Sequence, residues 1–221
     1  AKVLFPKGRV ADRQRAQLTT WGENIESYEV DGSFDDCQKM VKEAFMDKSI
    51  TSGLSSSNSI NIGRLLPQMA YYAYASEMYL ALYGEKPVII VPSGNVGNVT
   101  GCFWAKAMGY PIERIVMATN ANRTIPDYLE SGEYKPRASV KTLANAMDVG
   151  APSNMERLFD MFPTFEDFSA SVSAKSVSDS EIQRTIKEVY EEDDYIICPH
   201  TACGERVRRD YFSSSPTMVV S

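Results

Sequence analysis

A chain of 221 residues holds one large domain, or one domain with part of a second. Hydrophobic residues make up 43% and charged residues 24%, the proportions of an ordinary soluble globular protein. With 23 basic and 29 acidic side chains the formal net charge is −6, which argues against a nucleic-acid partner, because a phosphate backbone calls for a basic face. No apolar run approaches the roughly 20 residues that cross a bilayer, so no membrane partner is expected. No charged stretch followed by an apolar core marks a signal peptide, and the chain opens on Ala1 rather than Met, as a piece of a longer protein would. The four cysteines, Cys37, Cys102, Cys198 and Cys203, are sparse and show no extracellular framework, pointing to a reducing compartment, the cytoplasm. Cys198, His200 and Cys203 cluster, but a structural zinc site takes two closely spaced ligand pairs and no second pair exists, so no metal is expected.

Along the chain, Val3-Leu4-Phe5-Pro6 reads as a short strand and residues 11–21 as a polar helix. Residues 24–30 alternate like a strand, and Asp31-Gly32-Ser33 is a turn with a candidate N-cap before a helical stripe at Met40, Val41, Ala44 and Phe45. Residues 52–59 form a Ser/Gly-rich loop, and residues 60–83 a long apolar helix broken near Pro67. Val88-Ile89-Ile90-Val91 is a continuous apolar strand, followed by the turn Pro92-Ser93-Gly94-Asn95-Val96-Gly97-Asn98 and a helix over 100–108. Residues 112–119 predict another strand, 163–180 a Ser-rich surface excursion, 181–190 a helix, 195–198 a strand, and 216–220 the start of one more. Strands separated by helices imply an α/β fold with mostly parallel sheets flanked by helices, in which ligands sit beyond the carboxyl ends of the strands.

Four loops carry candidate chemistry. The turn at 92–98 points several backbone amides into one concavity at a helix start, which suits a phosphate. Gly94 and Gly97 are expected to allow close approach and positive φ. The same pattern is also ordinary strand–helix punctuation. Ser55-Ser56-Ser57-Asn58-Ser59 with Arg64 is either an anion site or a Ser/Asn cap beside a solvated arginine. Asn120-Ala121-Asn122 is a candidate ligand loop or an Asx turn. Cys198-Pro199-His200-Thr201-Ala202-Cys203-Gly204 holds His200, the lone histidine, either an acid–base group or a hydrogen-bonded structural residue.

Six ordered blocks carry a wider likeness. They are Phe5-Pro6-Lys7-Gly8-Arg9-Val10, Asn58-Ser59-Ile60-Asn61-Ile62-Gly63-Arg64-Leu65-Leu66-Pro67-Gln68, residues 92–98, Ala118-Thr119-Asn120, residues 143–150 (Leu-Ala-Asn-Ala-Met-Asp-Val-Gly) and Pro199-His200-Thr201-Ala202. In these the chain resembles the threonine synthases, pyridoxal-phosphate enzymes of fold type II. The resemblance implies conversion of O-phospho-L-homoserine and water to L-threonine and phosphate. It implies that Gly94, Asn95, Val96, Gly97 and Asn98 hold the cofactor phosphate and that Thr201 faces the pyridine nitrogen. It implies that Asn58, Ser59, Asn61 and Arg64 hold the substrate phosphate.

One departure stands against these matches. The family's Schiff-base lysine, in a Phe-Lys-Asp type context, has no counterpart here. Lys2, Lys7 and Lys39 lack that setting, and Thr51-Ser52-Gly53 echoes the substrate-carboxylate loop only superficially. The expectation is therefore an incomplete chain, truncated at both ends, with the lysine upstream and no catalytic residue of its own. Residues 1–55 would be the C-terminal part of a small αβ domain, and 56–221 most of a large cofactor-anchoring domain. Its sheet would lack strands and leave apolar edge exposed, with poor stability alone or the missing N-terminal segment as a companion chain. The alternative is a non-catalytic relative that keeps the phosphate loops and has lost the lysine.

Overall fold

The computed structural model describes residues 1–50 and 53–220. Thr51 and Ser52, which hold most of the 51–53 echo of the carboxylate loop and the start of the 52–59 loop, therefore lie outside the described residues. The chain divides into two compact units, Ala1–Ser55 and Ser56–Ser221.

In the first unit β1 (Lys2–Pro6) is followed by α1 (Asp12–Thr19), β2 (Glu26–Val30) and α2 (Phe34–Met46). The two strands are parallel, in register from Lys2 opposite Glu26 to Pro6 opposite Val30, with α1 as the crossover. Ser33 starts α2 by accepting from the Asp36 amide at 3.2 Å, while Asp36 Oδ2 accepts the Ser33 amide at 2.7 Å.

The second unit begins with α3 (Ile62–Leu65) and α4 (Gln68–Tyr83). Pro67 stands at the break between them, where a ring without an N–H interrupts the ladder. Then come β3 (Val88–Pro92), α5 (Gly97–Ala107), β4 (Arg114–Thr119) and α6 (Thr124–Ser131). A 3-10 turn at Asn145–Met147 precedes α7 (Met155–Met161), α8 (Phe165–Ser171), β5 (Ser173–Ser176), α9 (Asp179–Asp193), α10 (Pro199–Tyr211) and β6 (Thr217–Val219).

The sheet runs β5-β4-β3-β6, and every pairing is parallel. The apolar run of β3 is buried on both faces, as parallel strands between helix layers require. Its period-2 geometry splits it: Ile89 and Val91 join Ile115 and Met117 in one core, with Cys102 and Phe103 of α5, Leu158 of α7 and Phe168 of α8. Val88 and Ile90 join Val116 and Ala118 in the other, with Ile182 and Val189 of α9 and Ala202 and Val207 of α10.

Two sequence expectations are corrected. Residues 195–198 form no strand: Tyr195 and Ile196 are exposed, and Cys198 caps α10, which starts directly at Pro199. Apolar β-branched composition suggested a strand, but among the described residues no strand pairs with it. Residues 163–180 are no surface excursion either. Thr164 caps α8, accepting from the Asp167 amide at 3.1 Å; α8 buries Phe168 completely, and β5 then pairs with β4.

The layer of α9 and α10 is stitched by a half-buried charge network. Glu205 accepts from Arg208 Nε and Arg209 Nε, both at 2.7 Å, and Arg209 reaches Glu192 at 2.8 Å. Burial raises the Glu205 carboxyl, but the two arginines outweigh it and hold it below the usual carboxylate range. A depressed folded value means stability that is present above the unfolded carboxylate value and lost as pH falls through the folded one. Glu205→Gln is expected to cost about 2 kcal/mol at pH 7, a difference that shrinks on acidification. Urea unfolding of both proteins from pH 7 to pH 3 reads it, and a pH-independent difference would contradict the assignment.

Candidate active site

The carboxyl end of β3 delivers the chain into the 93–98 turn. Ser93 donates its amide to the Ala118 carbonyl of β4 at 2.9 Å, fixing the exit. The residue with positive φ is Val96, at 65°, not Gly94 or Gly97. This corrects the expected division of labour: the glycines give close approach, and a β-branched residue, 2% exposed in the core, takes the left-handed conformation. A Cβ on Gly94 would stand 2.7 Å from Met147 Cα, and one on Gly97 would stand 3.3 Å from Asn154 Nδ2 and from Ser59 Cβ.

The first amide of α5 to bond back is Thr100, which donates to the Val96 carbonyl at 3.0 Å. The amides of Gly97, Asn98 and Val99 precede that ladder, as the first amides of every helix do. The side chain of Asn98 turns away to α4, accepting from the Tyr72 hydroxyl and donating to the Tyr71 hydroxyl. Its backbone amide is what remains for a ligand. Burial raises the phenol of Tyr71, opposed by its hydrogen bonds with Asn98 and Tyr72.

The Ser/Asn loop comes to the same turn. Ser59 Oγ accepts from Asn95 Nδ2 at 3.1 Å and from Asn154 Nδ2 at 3.0 Å. Asn154 Nδ2 also donates to the Asn95 carbonyl at 2.9 Å, and Asn95 Oδ1 accepts from the Ser153 amide at 2.7 Å. Asn61 caps α3, accepting from the Gly63 amide at 2.9 Å, and donates to the Ser56 carbonyl at 2.7 Å. Asn58 Oδ1 accepts the Ser59 amide at 2.5 Å. Asn61 and Asn58 thus shape the loop, and Arg64 is exposed on α3. Asn95 and Ser59, 36 residues apart, are brought together; Thr201 stands in a separate cluster.

That cluster is the start of α10. Cys198 Sγ accepts from the Thr201 amide at 3.5 Å and lies 3.3 Å from Thr201 Oγ1. Burial raises the Cys198 thiol, but bonds from Thr201 and the His200 amide outweigh it and leave it below its ordinary value. His200 Nε2 accepts the Ala146 amide at 3.2 Å, so the ring is neutral with its proton on Nδ1, facing Cys198 Sγ at 3.6 Å. Burial lowers the imidazole further. Of the two readings of the lone histidine, the structure selects the hydrogen-bonded strut between α10 and the 3-10 turn. Cys203 is buried, its thiol pushed up to about 12, and among the described residues no group of three His, Cys, Asp or Glu side chains is gathered for a metal.

The third loop is a structural buttress. Asp148 Oδ1 accepts from Asn120 Nδ2 at 2.8 Å and Thr142 Oγ1 at 2.7 Å, and Asp148 Oδ2 accepts the Thr142 amide at 3.1 Å. This network seats the 3-10 turn against Gly94. Sequence reasoning missed Ser153, Asn154 and Arg157. The signal for Asn154 was an N-cap position before the apolar pattern of α7, but its side chain makes no cap bond and serves Ser59 instead.

Comparison with known proteins follows the same lines. Residues 1–210 match a family described as pyridoxal-phosphate dependent enzyme. The threonine synthase of Buchnera aphidicola subsp. Acyrthosiphon pisum (strain APS) is 40% identical over 210 residues, 94% of this chain and 49% of that protein. The crystal structure of threonine synthase from Escherichia coli superposes with a TM-score of 0.87 at 36% identity, over 99% of this chain and 52% of that one. The structure of PLP-bound threonine synthase from Brucella melitensis gives 0.83 at 32% identity, over 99% and 53%. The chain spans about half the length of the curated relatives it matches. With parallel strands packed against helices and a family match over residues 1–210, the chain belongs to the pyridoxal-phosphate dependent enzymes.

Proposed function

We propose that this chain is part of a threonine synthase, converting O-phospho-L-homoserine and water to L-threonine and phosphate in the cytoplasm. The observation that carries the reading is the Ser59–Asn95 contact, which joins the loop assigned to the substrate phosphate to the turn assigned to the cofactor phosphate. Threonine synthases are also its 40% identical relatives.

The residues present fit the cofactor. Gly94 and Gly97 leave room where a Cβ would crowd Met147 and Ser59, and the amides ahead of the α5 ladder suit its phosphate. When bound, pyridoxal phosphate supplies an electron sink for carbanion character in the substrate. Gly94, Asn95, Val96, Gly97 and Asn98 would hold its phosphate through backbone N–H groups. Thr201 would present a hydroxyl to the ring nitrogen, and a hydroxyl leaves that nitrogen unprotonated. Asn58, Ser59 and Asn61 would donate to the substrate phosphate, and Arg64 would supply the charged fork. His200 holds α10 to the 3-10 turn and moves no proton.

The Schiff-base lysine would lie in the half of the relatives' length this chain does not span. That half would also cover the edges β5 and β6 and the exposed side of α4, where Tyr74 and Leu82 are 70% and 68% accessible. Residues 1–55 would then belong to the small domain and 56–221 to the large one.

Arg64→Ala, in the protein at the length of its relatives, is expected to lower kcat/KM for O-phospho-L-homoserine by about 10- to 150-fold, the worth of a hydrogen bond to a charged group. Most of the loss should appear in KM. Unchanged constants would remove Arg64 from the site. Phosphate binding without turnover would favour the non-catalytic relative.

A further inference from the structure

Ser59 Oγ has two lone pairs and one proton to place. Both lone pairs are filled by side-chain amides, Asn95 Nδ2 at 3.1 Å and Asn154 Nδ2 at 3.0 Å. The orientation of each amide is dictated by its other partners. Asn95 Oδ1 faces the Ser153 backbone amide at 2.7 Å, a group that only donates, so its NH2 must face Ser59. Asn154 Oδ1 faces Arg157 Nε at 3.1 Å, which also only donates, while its Nδ2 faces the Asn95 carbonyl at 2.9 Å, which only accepts. Arg157 in turn donates from Nη2 to the Ile60 carbonyl at 3.1 Å, gripping the residue next to Ser59. Asn154 is 2% exposed, so water does not compete for these bonds.

Ser59 therefore has only its proton to offer. That proton points at Asn58 Oδ1 over 3.2 Å, long for a hydroxyl bond, and the same oxygen already takes the Ser59 amide at 2.5 Å. A phosphate oxygen, a stronger acceptor, would draw the proton away.

We infer that Asn154, locked by Arg157, is a positioning residue that makes Ser59 an obligate hydrogen-bond donor and so selects an anionic acceptor, a phosphate, at that hydroxyl. The inference rests on the reading of Ser59 as a substrate-phosphate ligand. In that role Asn154 needs no contact with substrate or cofactor. It acts by denying Ser59 any acceptor role, and a ligand group that could only donate would find no partner there.

The test is a double-mutant cycle on the cofactor-loaded protein at the length of its relatives, with inorganic phosphate as the probe and its dissociation constant read by calorimetry. Ser59→Ala and Asn154→Ala are each expected to weaken phosphate about tenfold, and the double variant no further than Ser59→Ala alone. Asn154→Asp matches the native shape but replaces the donor with an anionic acceptor, so it should weaken phosphate at least as much as Asn154→Ala. A role in packing alone predicts near-normal affinity for Asn154→Asp, and that result would overturn the inference. So would a loss from Asn154→Ala that persists when Ser59 is already Ala. If Ser59→Ala itself leaves phosphate affinity unchanged, the underlying site assignment fails and the inference with it.

Discussion

Gly150→Ala is expected to destabilise the protein by about 3 kcal/mol, at the upper end of overpacking costs. A Cβ there would stand 1.9 Å from the Arg137 carbonyl oxygen and 2.9 Å from Ala138 C, backbone atoms that cannot rotate aside. The two segments are also tied together. The Arg137 amide donates to the Gly150 carbonyl at 3.1 Å, and the buried Thr124 hydroxyl donates to the same oxygen at 2.8 Å. Relieving the clash would strain both bonds and loosen the 136–150 segment, whose Asp148 network seats the 3-10 turn. A fall in the urea midpoint with an unchanged slope is the expected signature. A midpoint within error of the native protein would show that the segment yields freely.

Gly94→Ala should act on the 93–98 turn, to which we assign the cofactor phosphate. Its Cβ would lie 2.7 Å from Met147 Cα and 3.1 Å from Met147 C and O. The Met147 side is held from three directions: Asn120 Nδ2 bonds the Ala144 carbonyl at 3.2 Å, His200 accepts the Ala146 amide at 3.2 Å, and the Met147 side chain is buried in the core. The 93–98 turn must therefore shift, carrying its amides with it. The expected result is a loss of about 2 kcal/mol of stability together with loss of the bound cofactor on gel filtration, followed by its visible absorbance. Gly97→Ala, with contacts of 3.3 Å to side chains that can yield, should be the milder of the two. Equal cofactor retention by both variants would contradict the assignment of this turn.

The sequence-level reading was strongest where one segment decides its own structure. The β3 run, the break at Pro67 and the strand–turn–helix order over 88–108 follow from local periodicity and ring chemistry and stand in the structure, except that the helix opens at Gly97, inside the expected 92–98 turn. The turn was legible as a turn, but its backbone was not: two glycines invited positive φ, and the packing of Val96 in the core assigned it there instead. The strand expected at 195–198 failed because apolar composition cannot reveal that Cys198 is committed to capping α10. Phe168 and β5 were missed since a serine-rich tract hides a single deeply buried ring and a short edge strand. Asn154 was out of reach for a deeper reason. Its partners Ser59 and Asn95 lie 95 and 59 residues away, and no local spacing encodes such a contact.

The most direct test of the account is phosphate release from O-phospho-L-homoserine with added pyridoxal phosphate, comparing residues 1–221 with the protein extended to the length of its relatives. The account predicts release only from the extended protein, because it assigns the phosphate loops to this chain and the lysine to the part of its relatives' length this chain does not span. No release from the extended protein would contradict it and leave Ser59, Arg64 and the 93–98 turn as parts of a binding module.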